Sequence, residues 1–349
     1  MNRLSLTALA LGVAAALARG GQAPEAGDPA ARIAQLCKQM GEGEYGNEGA
    51  CKQLVEIGAP AMPQLLATLK DRRPPARFWA VVAIARIGTD EGYNAVLDVL
   101  HNDPHPYVRG TAVYYLRFFK NKDVWPIIED AVADKEVYVA RYALVAMVEE
   151  NRPKVDEVLR KTLSAGSPEL RSYALEHVRR MAEKDPARAK GFLPLVGQLL
   201  SNPDPRVRYD AIHTTVVLME GGQLDFLRET FQRDKDPIVK EGALRCVTVI
   251  RNPSVEALDL FLQGMESDDG KVREAASKLL LKGVKHYIGF DPKGPLPRRE
   301  AAIAEWRTWL RDQRAKLQWH SDVRKFLLPG DRPKAEESPA KSEKQGTTK

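Results

Sequence analysis

Asp204-Pro-Arg-Val-Arg-Tyr-Asp-Ala211 reads as the opening of a helix. Asp204 suits an N-cap, Pro205 suits the first helical position, and Val207 with Ala211 begins an apolar stripe at helical spacing. The same template returns at Asp236-Pro-Ile-Val-Lys-Glu-Gly-Ala243 and Asp269-Gly-Lys-Val-Arg-Glu-Ala-Ala276. Looser copies stand at Ser167-Pro-Glu-Leu-Arg-Ser-Tyr-Ala174 and at Tyr107 to Ala112. The alanine that closes each copy falls at Ala80, Ala112, Ala143, Ala174, Ala211, Ala243 and Ala276, at intervals of 31 to 37 residues. A unit that repeats at a nearly fixed period is the mark of a solenoid.

The phase of the stripe explains why each unit needs its neighbour. Val239, Ala243, Cys246, Val247 and Ile250 share one helical face, as do Val108, Ala112, Tyr115, Leu116 and Phe119. One hairpin cannot bury so wide a stripe, so stacking must cover it, and the small alanine lets helices approach closely. The longest interval contains Glu183-Lys-Asp-Pro-Ala-Arg-Ala189, read as a plain loop insertion. No β pattern competes.

The chain of 349 residues is 44% hydrophobic and 29% charged, enough apolar material for a continuous core. Its net charge of +6 is concentrated: Val284 to Gly330 holds ten basic and five acidic residues, which leaves the repeat body near neutral. Arg3, the largely apolar run Leu4 to Leu17 and the small-x-small site Ala16-Leu17-Ala18 match a secretory signal peptide. A run of 14 residues falls short of the ~20 needed to cross a bilayer. The expected organisation is a signal peptide over residues 1–18, a flexible leader over 19–30 and a repeat array over 31–283. A loop with a capping helix follows over 284–328, then a disordered polar tail over 329–349. Periplasmic or secreted localisation follows from the signal.

The Asp-Pro-x-Val-Arg-x-x-Ala pattern over residues 47–283 resembles the short HEAT-like repeats of the phycobilisome-lyase type. That resemblance implies an all-α, right-handed α-solenoid of helical hairpins that serves as a scaffold and binding surface. After it, Gly289-Phe-Asp-Pro292 precedes a helix expected over Arg298 to Leu317, with Ile303, Trp306, Leu310 and Leu317 on one face. With Trp306-Arg-Thr-Trp309, this resembles a terminal element of some bacterial HEAT-like proteins, and a solenoid end needs such a cap.

Several residue sets carry candidate chemistry. A basic residue stands three positions before the marker alanine at Arg77, Arg109, Arg171, Arg208, Lys240 and Arg273. It reads either as a ladder for an anionic ligand or as a structural contact to the neighbouring unit's loop acid or carbonyls. Ala140, with Arg141 beside it, breaks a strict ladder and favours structure. One position before the alanine, Trp79, Tyr142 and Tyr173 are aromatic, and they line a partner groove or pack at the unit interface. Arg307, Arg311 and Arg314 with Trp309 form a basic, aromatic helix face suited to polyanions, or else a solvated surface. Cys37 and Cys51 lie on two short helices where they either form a disulfide, permitted by export, or remain buried thiols.

None of the six histidines forms the His-Glu motifs of the HEAT-scaffold hydroxylases, and no phosphate loop or nucleophile elbow is present. No cofactor and no metal are therefore expected. The leading expectation is a non-enzymatic, monomeric scaffold of the bacterial cell envelope that binds a protein partner. Nucleic acid is disfavoured, and no integral membrane span remains after signal removal. The other readings are a lyase or glycosylase on a HEAT scaffold and a polyanion-binding module.

Overall fold

Each second helix of the array begins where its template places it. The computed structural model describes residues 28–42 and 46–331, so the signal segment and most of the leader and tail lie outside the described residues. Eighteen α-helices are described. The first pair is α1 (Pro29–Met40) and α2 (Glu48–Ile57). The next are α3 (Met62–Thr68) with α4 (Pro74–Ile87), and α5 (Asp90–Asn102) with α6 (Pro106–Leu116). Then come α7 (Trp125–Ala131) with α8 (Val137–Glu149), and α9 (Val155–Ala165) with α10 (Pro168–Lys184). A short α11 (Pro186–Lys190) precedes the pair α12 (Leu193–Leu199) and α13 (Pro205–Leu218). The array closes with α14 (Gln223–Arg233) and α15 (Pro237–Cys246), α16 (Ala257–Met265) and α17 (Gly270–Gly283), and the capping α18 (Leu296–Gln313).

The helices divide into two compact units at Ile127. Within the first, α4 packs on α6. Within the second, α8, α10, α13, α15 and α17 pack in succession. This is an all-α solenoid, helix on helix, and the seven marker alanines are all fully buried. Asp204, Asp236 and Asp269 accept backbone N–H groups of their own first turns, the N-caps that the template requires.

The repeated arginine joins loops. Arg77 donates through Nε and Nη2 to the Asp103 carboxylate at 2.7 and 2.9 Å, and through Nη1 to the Asp71 carbonyl at 2.9 Å. Arg208 repeats this on Asp234 at 2.8 and 3.1 Å while donating to the Asn202 carbonyl. The acid that receives the fork also orders its own turn, since Asp103 accepts the His105 N–H and Asp234 accepts the Asp236 N–H. Arg109 donates to the Asp103 carbonyl, and Arg171 donates to those of Leu163 and Ser164. Lys240, which has no planar fork, instead places its ammonium 5.2 Å from the Phe231 ring centre.

The C-terminal element continues this scheme. Arg273 donates to the Ser267 and Asp268 carbonyls and, through Nε, to the Pro292 carbonyl at 2.8 Å. Asp291 accepts the Lys293 N–H, so the Gly289-to-Pro292 loop presents the turn that a further repeat would present. Trp306, Ile303 and Leu310 of α18 then join the core cluster running from Ile212 through Leu280.

Four expectations are corrected. The capping helix ends at Gln313, followed by a 3₁₀ turn over Arg314–Lys316 rather than by helix to Leu317. A hairpin follows, β1 (Gln318–His320) antiparallel to β2 (Lys325–Leu327); strands of three residues are too short to alternate legibly. The expected loop insertion is instead the extended end of α10 plus α11, fixed by Arg188 on Asp156 at 2.7 Å. Of the two readings left open for Cys37 and Cys51, the buried thiols hold, since both are free and buried. The Cys51 Sγ–H donates to the Trp79 carbonyl, and burial pushes this thiol up to about 12. Helix also starts earlier than Ala31, because Asp28 caps Pro29.

The buried fork gives a stability prediction. The Arg77 and Asp103 side chains are 8% and 3% exposed, so Arg77→Ala leaves a buried carboxylate unpaired and costs roughly 3–5 kcal/mol. Arg208→Ala, on a pair that water reaches more easily, costs less. Urea midpoints of both variants check the order, and a larger loss for Arg208→Ala would contradict it.

Candidate partner-binding surface

The second helices of residues 128–331 carry their solvent-facing side chains in a fixed register. Positions two before the marker alanine supply Arg141, Tyr209, Glu241 and Glu274, and positions two after supply Glu176, His213, Arg245 and Lys278. These flank the alanine because helical neighbours on one face lie three or four residues apart. All are half-buried or exposed, above a fully packed stripe.

Each helix reaches the next. From α8, Arg141 Nη1 donates to the Tyr173 hydroxyl of α10 at 2.8 Å, and its guanidinium lies 4.4 Å from that ring's centre. From α10, Arg179 donates to the Thr214 hydroxyl and the Asp210 carbonyl of α13 at 2.9 and 3.2 Å. From α13, the Tyr209 ring lies against Gly242 of α15, where a Cβ would stand 2.2 Å from it. Glycine at 242 is therefore a requirement of close approach. Along the row, carboxylates meet cations: Glu176 with Arg180 at 2.6 Å, Glu241 with Arg245 at 2.6 Å, Glu274 with Lys278 at 2.5 Å.

Burial sets the electrostatics under this row. His177 is 7% exposed, its Nδ1 has no hydrogen-bond partner, and desolvation lowers its pKa to about 4. Arg180, Arg141 and Arg179 add to that lowering, against Glu176. Desolvation also lowers His213 to about 4 and pushes the Cys246 thiol up to about 12. Arg179 itself is lowered by desolvation, opposed chiefly by Asp210.

The residues singled out from the sequence divide. Trp79 and Tyr142 are buried, 7% and 4% exposed, and Trp79 meets Phe78 edge-on at 4.9 Å. They are packing residues, so the groove reading is corrected at both; of the three aromatics, Tyr173 alone reaches the surface. The basic helix face at the C-terminus is spent on intramolecular pairs. Arg307 bonds Glu266, Arg314 bonds Asp259 and approaches Glu256, and Arg311 bonds Asp312. Trp309 stacks flat on His286 at 4.3 Å and meets Trp306 edge-on, so its ring is occupied. The structure does not bring these four together as a stacking site. Arg109, Arg171, Arg208 and Arg273 lie in the loop contacts described above, and Lys240 lies over the Phe231 ring.

The sequence marks Arg141 only as the residue beside the break in the ladder, and it sets no mark on Tyr209, His213, Glu176 or Arg245. The signal was present in the register on either side of the marker alanine, but composition there is mixed and no motif marks it.

Two grooves lie on the first helices. One of about 790 Å³ between α3 and α5 is lined by Leu66, Leu69, Val99, Asp71, Arg77 and Asp103, among others. Arg73 holds its Asp71 carboxyl down at about 2, which leaves that group ionised and unsuited to exchange protons near neutrality. A smaller one of about 340 Å³ is bounded by Arg228, Asp259, Glu266 and Arg307. Among the described residues, no group of three or more His, Cys, Asp or Glu could hold a metal ion, and no helix is long and apolar enough to cross a membrane.

Residues 30–117, 62–149 and 155–248 match the family model for HEAT repeats. No curated protein matches the sequence. Among solved structures, the chain is similar to a chain of the CpcE–CpcF complex of phycocyanin lyase from Nostoc sp. PCC7120. Identity is 16% and the TM-score 0.34, over 69% of this chain and 92% of that one. It is similar to YibA of Escherichia coli at 17% identity and a TM-score of 0.42, over 75% and 100% of the two chains. It is similar to human deoxyhypusine hydroxylase in complex with glycerol at 16% and 0.28, over 72% and 96%. Likenesses this distant concern the helical architecture and carry nothing about activity.

The buried histidine makes stability depend on pH. The folded-state pKa of His177 lies below the ordinary 6.5, so the unfolded chain takes up the proton first as pH falls. The stabilisation is complete above pH 6.5 and is lost down to about pH 4, a loss of roughly 3 kcal/mol. Chemical denaturation of the wild type and of His177→Leu across that window checks this; an equally steep fall in the variant would contradict it.

Proposed function

The chain belongs to the HEAT repeat family, and from that premise we propose that it is a non-enzymatic scaffold of the bacterial cell envelope that binds a protein partner. The second-helix row of α8, α10, α13, α15 and α17 is the surface of contact. The observation that carries this is the row itself: half-exposed charged and aromatic side chains, held by contacts from each helix to the next, above a packed core. Interfaces use such aromatic and arginine anchors. Export rests on the sequence pattern of residues 1–18. A non-enzymatic role is supported by the grooves, whose acids are held in ion pairs rather than poised for proton transfer.

The test pairs localisation with capture. The chain, expressed with residues 1–18 in place, is expected in the periplasmic or secreted fraction, shortened at the N-terminus. Cross-linking in cell-envelope extract followed by mass spectrometry is expected to return one specific partner. Combining Arg180→Gln, Arg245→Gln and Lys278→Gln, which removes only exposed i,i+4 pairs of roughly 0.2–0.5 kcal/mol each, is expected to abolish that capture while the chain stays folded. Retention in the cytoplasm would overturn the envelope assignment. Absence of any specific partner, together with turnover of a small substrate, would overturn the scaffold.

A further inference from the structure

In the second-helix row the carboxylates are matched, and one cation held on an aromatic ring is not. Glu176, Asp210, Glu241 and Glu274 each have a cation from the same or the preceding helix: Arg180, Arg179, Arg245 and Lys278. Arg141 has none. Among the described residues no carboxylate stands within salt-bridge distance of it, and its hydrogen bond goes to the Tyr173 hydroxyl. Its guanidinium is nonetheless fixed, 4.4 Å from the Tyr173 ring centre and 5.6 Å from that of Tyr142. A half-buried guanidinium held on a ring has already given up much of its rotamer freedom, so an arriving carboxylate meets a preformed fork.

A second observation lies beneath it. The buried Nδ1 of His177 has no partner, and His177 feels Arg141, Arg179 and Arg180 together. The step between α8 and α10 thus combines an unmatched cation with an unmet buried polar atom. Unpaired buried polar atoms are rare in native structures and call for an explanation.

We propose that the Arg141–Tyr173–His177 step recognises one aspartate or glutamate side chain in an acidic segment of the protein partner. This rests on the scaffold reading and names the chemistry that its surface takes. The carboxylate accepts from the remaining N–H groups of Arg141, while Tyr173 holds the guanidinium in place and acts as a positioning residue. A uniform polyanion fits poorly. The same row presents Glu176, Asp210, Glu241 and Glu274, which repel a continuous line of phosphates but leave room for an isolated carboxylate on a peptide.

The experiment uses the whole mature chain and a fluorescein-labelled peptide of alternating glutamate and serine, followed by anisotropy. A lysine–serine peptide and an oligothymidylate serve as counter-probes. The glutamate peptide is expected to bind saturably, and Arg141→Ala to weaken it roughly ten- to hundredfold, as loss of a charge-assisted pair implies. Lys154→Ala, on a cation paired with Glu129 outside the row, is expected to stay within about twofold. Because Arg141→Ala also removes a ring contact, Tyr173→Phe supplies a gentler variant that keeps the ring and is expected to weaken binding less. Peptide binding is also expected to raise the His177 pKa, read from its imidazole resonances, which a remote binding mode would leave unmoved. Unchanged binding in Arg141→Ala, a static His177 resonance, no binding of the peptide at millimolar concentration, or stronger binding of oligothymidylate would each overturn the inference. Those failures leave partner capture in envelope extract standing, so the two readings fall separately.

Discussion

A helix pair in this chain cannot close its own apolar stripe, and the guanidinium fork between loops fixes how the next pair is laid on it. Arg77 and Arg208 each bind a carbonyl of their own loop and the carboxylate of the following one. Apolar contact alone sets no register between smooth helical faces, whereas a bidentate pair accepts little displacement. The carboxylate is useful twice, since it also closes its own Asx turn. At Arg77 and Arg208 one side chain therefore ties the geometry of its own turn to the loop of the next pair.

The end of the array shows the same constraint from the other side. Arg273 lacks a further repeat, yet its Nε still finds an acceptor, the Pro292 carbonyl, in a loop whose Asp291 makes the familiar turn. The capping helix then covers the final stripe with Trp306 and Leu310. The cap works because it imitates what it replaces at the loop and departs from it only in the helix.

Much of this was legible in the residues. The Asp-Pro-x-Val-Arg-x-x-Ala template located the second helices, their caps, the buried alanine and the edge position of the arginine, because each follows from helical phase. Where the reading failed, the cause was either short range or long range. Three-residue strands at Gln318–His320 and Lys325–Leu327 carry too little pattern. The closeness of Cys37 and Cys51 on adjacent helices says nothing of whether their sulfurs point at one another, and each instead fills its own packing site. The edge register of Trp79 and Tyr142 allowed a groove or packing, and their burial decides for packing. The surface row was the least legible part. Its members are ordinary charged and aromatic residues whose meaning comes from which helix lies beside them, and that is a fact of stacking.

Ala140 and Arg141 bring the two roles of arginine into one place. In the other units the basic residue occupies the position three before the marker alanine, and every arginine there is consumed by the loops. In α8 that position is alanine and the arginine has moved one residue on, which turns it about 100° around the helix axis. The turn takes the cation away from the carbonyls it would have bound and sets it on the face where Tyr173 waits. The unit gives up the loop-carbonyl contact that Arg109 and Arg171 make in the neighbouring units, and gains a guanidinium held on the Tyr173 ring. Regular positions in a repeat array are committed to building it. A departure that leaves the helix intact while moving a charged group to the surface is where binding chemistry can be added without disturbing the stack.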